Sequence, residues 1–582
     1  MKKTKIICTV GPSTDNLQLL EKLMQAGMDL ARFNFSHGTH EEHGKRLELV
    51  RQAAAHTGKV IATIADTKGP EIRLGIFAEG SVELVEGQEF ALTTENIQGT
   101  SSLSYVNYEH LPEEVHVGDT ILLSDGMLGL RVTALEPGLI HTVVVAGGVI
   151  SSRKRVSCPG IELQLPFLSE QDKKDVLFAA RNDMDYIAAS FVQKADDILA
   201  IRKVLEDEGL NMGIIAKIEN AAGVEHIKEI IDVADGVMVA RGDLGVEIPA
   251  EEVPVVQKEI ITLCNAAGKP VITATQMLES MCQSFRCTRA EASDVANSIY
   301  DGTDVIMLSG ETASGKYPLE AVETMAKIAE RTEHALDFDQ IFERKGLNER
   351  VHFTEAISHA TVQISHEIDA DAILSITEFG NTARMIAKYR PLSKVIAMST
   401  SPKSLRSMQL YWGVTPVLGP SASSTDALID MALSRVLEQG IIKEGATVVI
   451  TAGAPVGAPG STNLIRVVNV GKILTKGTGI GKKSVIGRAF VAKSLDDFAG
   501  LQKGDILFCA DLQEEIVPVA VQTAAAIVCE EGGLTSTAAI VAVTCGLPVV
   551  VGAAGAVELV SNGTTVTVDT VSGTVYEGEM SL

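Results

Sequence analysis

An α/β protein built on a closed (β/α)8 barrel is the fold this sequence predicts, and three observations predict it. Eight short, β-rich apolar runs recur through the first 311 residues, helical patterns separate them, and each run ends in polar or charged residues. The runs are TKIICTV (4–10), MDLARFNF (28–35), KVIATIAD (59–66), DYIAASFV (185–192), MGIIAKIE (212–219), DGVMVARGD (235–243), KPVITATQ (269–276) and TDVIMLSGE (303–311). Between them, LQLLEKLMQAG and ILAIRKVLEDEG carry helical spacing and stop at glycine. Polar strand ends place the chemistry on the C-terminal face of such a barrel. A doubly wound open sheet uses the same alternation, but a count of eight favours closure. Composition agrees: aromatics make up only 4%, while the Ala, Val, Ile and Gly of buried parallel strands abound.

The other elements follow in chain order. At 582 residues the chain exceeds what one core uses, and about four domains are expected. Residues 1–70 and 166–345 supply the catalytic barrel. Residues 71–165 read as short alternating strands with glycine turns, among them GSVELVEGQEFALTT and GDTILLSDGMLGLRV. That is an all-β insertion at the C-terminal end of the third strand, where a lid reaches the chemistry. Residues 346–475 start a new α/β pattern, with strands near DAILSIT, KVIAMST and ATVVITAG. The stretch KGTGIGKK (476–483) reads as a linker, and the last α/β segment, 476–582, carries GDILFCADL, AAAIVCEEGG and GLPVVVG.

The formal charge of −25 argues against general binding to nucleic acid or anionic membranes, which need a basic footprint. A local Arg and Lys cluster can still capture a small phosphate. The eight cysteines include no CxxC pair and read as reduced thiols of a cytoplasmic protein. Two lysines and a short apolar run at the start are too little for a signal peptide. Residues 532–557 carry no charge, yet five glycines and Pro548 favour a helix followed by a strand over a membrane span.

The strongest local signal is AKIEN followed by VARGDLGVEI. Lys217 and Glu219 are two apart on one strand and share a face. Asp243 follows the next strand, beside Glu219 in a closed barrel. Two carboxylates with few competing ligands suit Mg²⁺, and a lysine fixed beside them faces the same substrate. A structural salt bridge among Lys217, Glu219, Arg241 and Asp243 is the alternative.

The second constellation is ARFNFSHG with IADTKGPEIR. Arg32, Asn34 and Ser36 alternate at one strand's end, and Asp66 and Thr67 close the next. The oxygens of Asn34, Ser36, Asp66 and Thr67 make a cage with one formal charge, suited to a monovalent cation. Arg32 and Arg73 would meet phosphate as planar forks. Helix capping explains the same Asn, Ser and Asp. Third, ITATQML and MLSGETASG put Thr275 and Ser309 at neighbouring strand ends, where hydroxyls bind a carboxylate or relay a proton. Glu311 could orient either, and capping again competes. TEFGNTARMIAKYRP (377–391) and TAGAPVGAPGSTN (451–463) offer phosphate-binding loops, which ordinary turns explain as well.

These motifs, together with TRAEASDVANSIYDGTD, resemble the pyruvate kinases in order over residues 1–470. The resemblance implies a (β/α)8 TIM barrel, a β-barrel lid inserted after its third strand and a C-terminal α/β regulatory domain. It implies a glycolytic phosphotransferase, usually a homotetramer, that moves the phosphoryl group of phosphoenolpyruvate to ADP, giving pyruvate and ATP. Mg²⁺ or Mn²⁺, and K⁺, are the cofactors implied. Arg32 matches the family's substrate-phosphate arginine, and Lys217 its lysine stabilising phosphoryl group and enolate. Glu219 and Asp243 match the Mg²⁺ ligands, and Asn34, Ser36, Asp66 and Thr67 the K⁺ ligands. Gly242, Asp243 and Thr275 match substrate contacts, while Asn34, Phe35, Ser36, His37, Arg73 and Lys154 match nucleotide contacts. Glu71 stands where potassium-dependent members carry glutamate, so a K⁺ requirement is expected. The enolate would stay beside Mg²⁺ and Lys217 until C3 is protonated through a relay near Thr275 and Ser309. A phosphorylated allosteric effector, sugar or nucleotide, is expected near Thr377, Gly380 and Thr382.

The chain departs from the family in three places. The lid motif KKGVNLPG reads RKRVSCPG, so Arg155 replaces a glycine and the backbone geometry there stays open. The NPxPTRAE turn reads SFRCTRAE, losing two prolines before Thr288, a loss that softens the loop without removing a catalytic group. The tail from about 477 resembles the swivelling, phosphoenolpyruvate-utilising mobile domain of phosphotransfer enzymes. Its motif GGxTSHAA reads GGLTSTAA, with Thr537 at the phosphohistidine position, so no phosphotransfer through it is expected. Two rivals remain: a barrel aldolase or lyase handling a pyruvate enolate with Mg²⁺, and a non-catalytic metabolite sensor. The lid, the cation cage and Lys154 favour the kinase over the first. Intact Arg32, Lys217, Glu219 and Asp243 favour it over the second.

Overall fold

In the computed structural model, which describes residues 2–161, 163–346, 352–422, 424–453 and 462–580, the eight apolar runs form eight parallel strands. They are β1 (Lys5–Thr9), β2 (Leu30–Asn34), β3 (Ala62–Asp66), β4 (Tyr186–Ala189), β5 (Gly213–Ile218), β6 (Gly236–Ala240), β7 (Val271–Ala274) and β8 (Val305–Leu308). They pair in chain order, and β8 returns to β1 to close the barrel. Alternation divides the core in two. Ile7, Leu30, Ile64, Ala188, Ile215 and Met238 fill the lumen, whereas Ile6, Cys8, Phe33, Ile214 and Ala216 pack outward under the helices. Continued to the C-terminal ends, the lumen-facing series runs Ile7 to Thr9, Leu30 to Arg32 and Asn34, Ile64 to Asp66, Ala188 to Ser190, and Ile215 to Lys217 and Glu219. The parity that packs the barrel therefore also delivers its polar groups.

Helix starts are fixed by side chains. The helix His40–Thr57 begins at a reciprocal Thr39–Glu42 capping box and ends at Gly58, φ +65°. The helix Arg289–Asp301 begins likewise at Thr288 with Glu291, which also accepts the Ser280 N–H at 2.7 Å. Glu291 thus ties the turn that lost its prolines at both sides, at Ser280 and at Thr288.

The insertion folds into a seven-stranded sheet, Ile72–Arg73, Arg155–Ser157, Thr120–Leu123, Leu128–Glu136, Leu139–Ala146, Glu89–Thr93 and Leu103–Tyr105 in spatial order. A two-stranded ribbon accompanies it, and Phe77, Phe90, Leu92, Ile121 and Leu130 form its own core. Arg155 lies in an ordinary antiparallel ladder opposite Arg73. The left-handed backbone of this motif falls on Arg153, φ +62°, so an arginine at 155 needs no special geometry.

Barrel and lid form one compact unit with Thr377–Arg390 and Ser401–Leu418; Glu349–Ile376, Pro391–Thr400 and Gly419–Leu582 form a second. In the second, β9 (Ala372–Ile376) pairs in parallel with β10 (Lys394–Ser399) and β11 (Ala446–Gly453), and β12 (Thr462–Val470) runs antiparallel to β11. The terminal sheet has four parallel strands, Ser484–Ala492, Ile506–Cys509, Ala526–Cys529 and Val549–Val551. Thr478–Ile480 pairs with Val549–Val551, so the stretch read as a linker contains an edge strand. Ile473–Lys476 pairs with Thr574–Glu577 and also belongs to this sheet. The uncharged segment is the helix Thr537–Cys545 followed by a strand, and no helix among the described residues is long and apolar enough to cross a membrane. Residues 454–461 of TAGAPVGAPGSTN lie outside the described residues.

Candidate active site

Strand ends β1 to β5 bring two cations and two carboxylates into one buried cluster. Asp66 Oδ2 accepts the Arg32 Nε–H at 2.6 Å, and its Oδ1 accepts the Lys217 ammonium at 2.9 Å. Lys217 Nζ also donates to Ser190 Oγ at 2.7 Å and pairs with Glu219 Oε1 at 2.9 Å. Glu219 Oε2 accepts the Phe191 backbone N–H at 2.7 Å, and Arg32 reaches Thr9 Oγ1 at 3.0 Å. Asp66 and Glu219 are 1% exposed, Lys217 7% and Arg32 8%. Four charges so deeply placed persist only because they neutralise one another. Burial works against the Lys217 ammonium, but Asp66 and Glu219 outweigh it and hold its pKa above the usual lysine range. Burial also raises the Asp66 carboxyl, and Arg32 and Lys217 overcome it to leave the group lowered. For Glu219, burial wins over Lys217, and Asp243 adds to it, so its carboxyl is pushed up.

Asp243 lies in the short helix Arg241–Glu247 after β6, and its field reaches both Glu219 and Lys217. Its Oδ1 is held by the Arg155 guanidinium from the lid. Arg241 turns elsewhere, to Asp294 at 2.7 Å and the Thr275 carbonyl at 2.7 Å, so the four-membered salt bridge with Arg241 does not form. The Gly242 N–H donates to Thr275 Oγ1 at 2.8 Å. Thr275 and Gln276 have φ of +67° and +54°, a strained pair just past β7 that rotates Thr275 out of the strand's parity. Ser309 Oγ is buried and has no hydrogen-bond partner among the described residues. Glu311 orients neither hydroxyl; it accepts the N–H groups of Ser309 at 2.7 Å and Leu278 at 3.0 Å.

Around the expected cation cage, Asn34 lies opposite Asp66 across β2 and β3. Strand parity stops at Asn34, and Ser36 is placed instead by a turn, its N–H on Asn34 Oδ1 at 3.1 Å. Thr67 Oγ1 accepts the Ser190 N–H at 3.3 Å. The Phe35 ring packs outward on His43, centroids 4.4 Å apart, and its N–H donates to the Asp66 carbonyl at 2.9 Å, so the ring faces away from any ligand. His37 is exposed. Arg73 grips Glu71 Oε2 at 2.9 and 2.7 Å, and Lys154 is half-buried on the same lid edge. Elsewhere in this unit, Gly380, φ +86°, caps the helix Asn381–Lys388, and its N–H meets Thr377 Oγ1 at 3.1 Å, while Thr382 is buried. Thr9, Ser190 and Phe191 were missed from sequence. Lumen parity points to the first two, but Phe191 acts through its backbone at φ +57°, for which sequence carries no sign.

A closed barrel, a lid inserted after its third strand and a buried set of balanced charges at the strand ends define a (β/α)8-barrel protein with a candidate active site. The chain belongs to the pyruvate kinase family. The family descriptions "Pyruvate kinase, barrel domain", "Pyruvate kinase, alpha/beta domain" and "PEP-utilising enzyme, mobile domain" match residues 1–322, 355–468 and 501–573. Over the full length of both chains it is 48% identical to a pyruvate kinase of Geobacillus stearothermophilus and 47% to one of Sporosarcina psychrophila. A solved pyruvate kinase from Cryptosporidium parvum matches at TM-score 0.77 and 40% identity, covering 80% of this chain and 96% of that one. The protein is thus a phosphotransferase.

Proposed function

We propose that this enzyme transfers the phosphoryl group of phosphoenolpyruvate to ADP in glycolysis, using the Arg32–Asp66–Lys217–Glu219 cluster. That cluster carries the reading, because it gathers two cations at one set of strand ends, where an incoming phosphate can meet both. Arg32 binds the substrate phosphate. An oxygen of the ADP β-phosphate attacks phosphorus, the bond to the enol oxygen breaks, and the electron pair stays on the enolate beside Lys217. Gly242, Asp243 and Thr275 line the substrate. Asn34, Ser36, His37, Arg73, Lys154 and the Phe35 backbone meet the nucleotide. C3 of the enolate takes its proton through Thr275 and Ser309, a role that the unpartnered Ser309 hydroxyl supports.

The donors suit the expected ions. Glu219 and Asp243 each hold a cationic side chain, Lys217 and Arg155, and such a carboxylate pair fits Mg²⁺ or Mn²⁺. Asn34, Ser36, Asp66 and Thr67 offer uncharged oxygens around one carboxylate, which fits K⁺, and Glu71 supports a K⁺ requirement. When bound, these ions supply further neutralisation of phosphoryl charge. The resemblance also supports a cytoplasmic homotetramer, a phosphorylated effector at Thr377, Gly380 and Thr382, and a terminal domain without phosphotransfer. Steady-state pyruvate release from phosphoenolpyruvate tests the whole reading, with ADP, Mg²⁺, K⁺ and effectors each omitted in turn. Release that ignores ADP, or no release at all, overturns it.

A further inference from the structure

The lid places one arginine inside the barrel's carboxylate site. Arg155 sits on a strand paired on both sides, with Ile72–Arg73 and with Thr120–Leu123, so its root is rigid. Its side chain is 10% exposed, with Nη1 on Asp243 Oδ1 and Nη2 3.9 Å from Glu247 Oε1. The guanidinium carbon lies 4.6 Å from the centroid of the Phe191 ring. Phe191 in turn holds Glu219 through its N–H, so one residue supports both the guanidinium and the neighbouring carboxylate. We propose that Arg155 is a lid-borne competitor of the divalent cation: it holds Asp243 until a metal ion binds there and displaces it.

The proposal rests on reading Glu219 and Asp243 as metal ligands. A guanidinium on Asp243 and a divalent ion between Glu219 and Asp243 put like charges a few ångströms apart, so the two compete for that carboxylate. A divalent ion outbids a monovalent side chain for it, because Coulomb attraction scales with charge. The displaced side chain has somewhere to go. A cavity of about 530 Å³ opens beside it, lined among others by Glu71, Asp197 and Glu247, whose carboxylates can receive the cation. A chain with the motif's glycine at this position has no side chain to compete.

The test uses the full-length protein without substrate and Mn²⁺ as probe, with free Mn²⁺ read by electron paramagnetic resonance. Arg155→Met keeps an apolar stem over Phe191 and removes the charge; Arg155→Lys keeps a charge; Arg155→Ser is a second neutral variant should the first misfold. Both neutral variants are expected to bind Mn²⁺ about tenfold tighter than wild type, the scale of one charge-assisted hydrogen bond, and the lysine variant to lie between. In wild type, phenylglyoxal labelling of Arg155, read by mass spectrometry, is expected to rise several-fold when Mn²⁺ is added. Equal Mn²⁺ affinity in wild type and the neutral variants, or labelling that stays flat or falls, overturns the competition. Asp243→Asn separates the two readings. If it binds Mn²⁺ as wild type does, the metal-site reading fails and takes the competition with it. If it loses Mn²⁺ while the neutral variants stay at wild-type affinity, the competition alone falls.

Discussion

The Lys217 ammonium meets Asp66, Ser190 and Glu219, all within 2.9 Å. Lys217→Met removes a fixed cation from the point where enolate charge develops, so turnover is expected to fall about 10²–10³-fold. Mn²⁺ should still bind, because both carboxylates remain. Coupled pyruvate assays and Mn²⁺ titration measure the two effects, and near-normal turnover would remove Lys217 from its role. At this scale the sequence was legible wherever a side chain obeys strand parity, as Lys217 and Asp66 do. It was illegible where a backbone group at positive φ makes the contact, at Phe191. It was also illegible where a partner arrives from afar: Arg155 meets Asp243 from 88 residues away.

Elements were legible to the extent that local signals decide them. All eight barrel strands follow from short apolar runs with turn residues between, since each satisfies its ladder and its packing at once. The edge strand Thr478–Ile480 was not legible, because its glycine- and lysine-rich text has no period and only the partner Val549–Val551 makes it a strand. A helix cap is a local signal of the same kind. Thr288 Oγ1 accepts the Glu291 N–H at 3.2 Å and donates to Glu291 Oε2 at 3.0 Å, and Glu291 anchors Ser280 as well. Thr288→Ala should therefore cost about 1 kcal/mol locally, with Thr288→Ser close to neutral. A chain of several domains does not unfold in two states, so the measurement is amide exchange over the first turn after Thr288. Unchanged protection there in the alanine variant would mean that the preceding loop, not the cap, starts this helix.

On the scale of the whole molecule, charge placement ties stability to pH. Burial, helped by Arg390, lowers the Lys345 pKa from the ordinary 10.5 to about 7. Its Nζ and the Arg390 guanidinium share Asn265 Oδ1, at 2.9 and 3.0 Å. Between these two pKa values the unfolded chain binds the extra proton, so stability should rise with pH across that window. The penalty is absent above about pH 10.5 and complete below about pH 7. Lys345→Met should flatten that rise in the melting temperature of the barrel unit between pH 7 and 9; an identical slope in both proteins would place this lysine in water.

The terminal domain poses a chemical question of its own. Thr537 opens the helix Thr537–Cys545, while Ser536 Oγ donates to the Gly533 carbonyl at 2.9 Å and accepts the Ala539 N–H at 3.3 Å. The helix start is thus built and capped, but the residue on it is a hydroxyl. Phosphohistidine transfer needs an imidazole nitrogen that is nucleophilic at neutral pH and leaves easily; an alcohol is a poor nucleophile there and forms a stable ester. Radiolabelled phosphoenolpyruvate should therefore leave no label on the wild-type domain. Thr537→His should acquire an acid-labile label if the rest of the site is intact, since Ser536 still caps the helix. Acid-stable label on wild-type Thr537 would contradict this and make the domain a second phosphoryl acceptor.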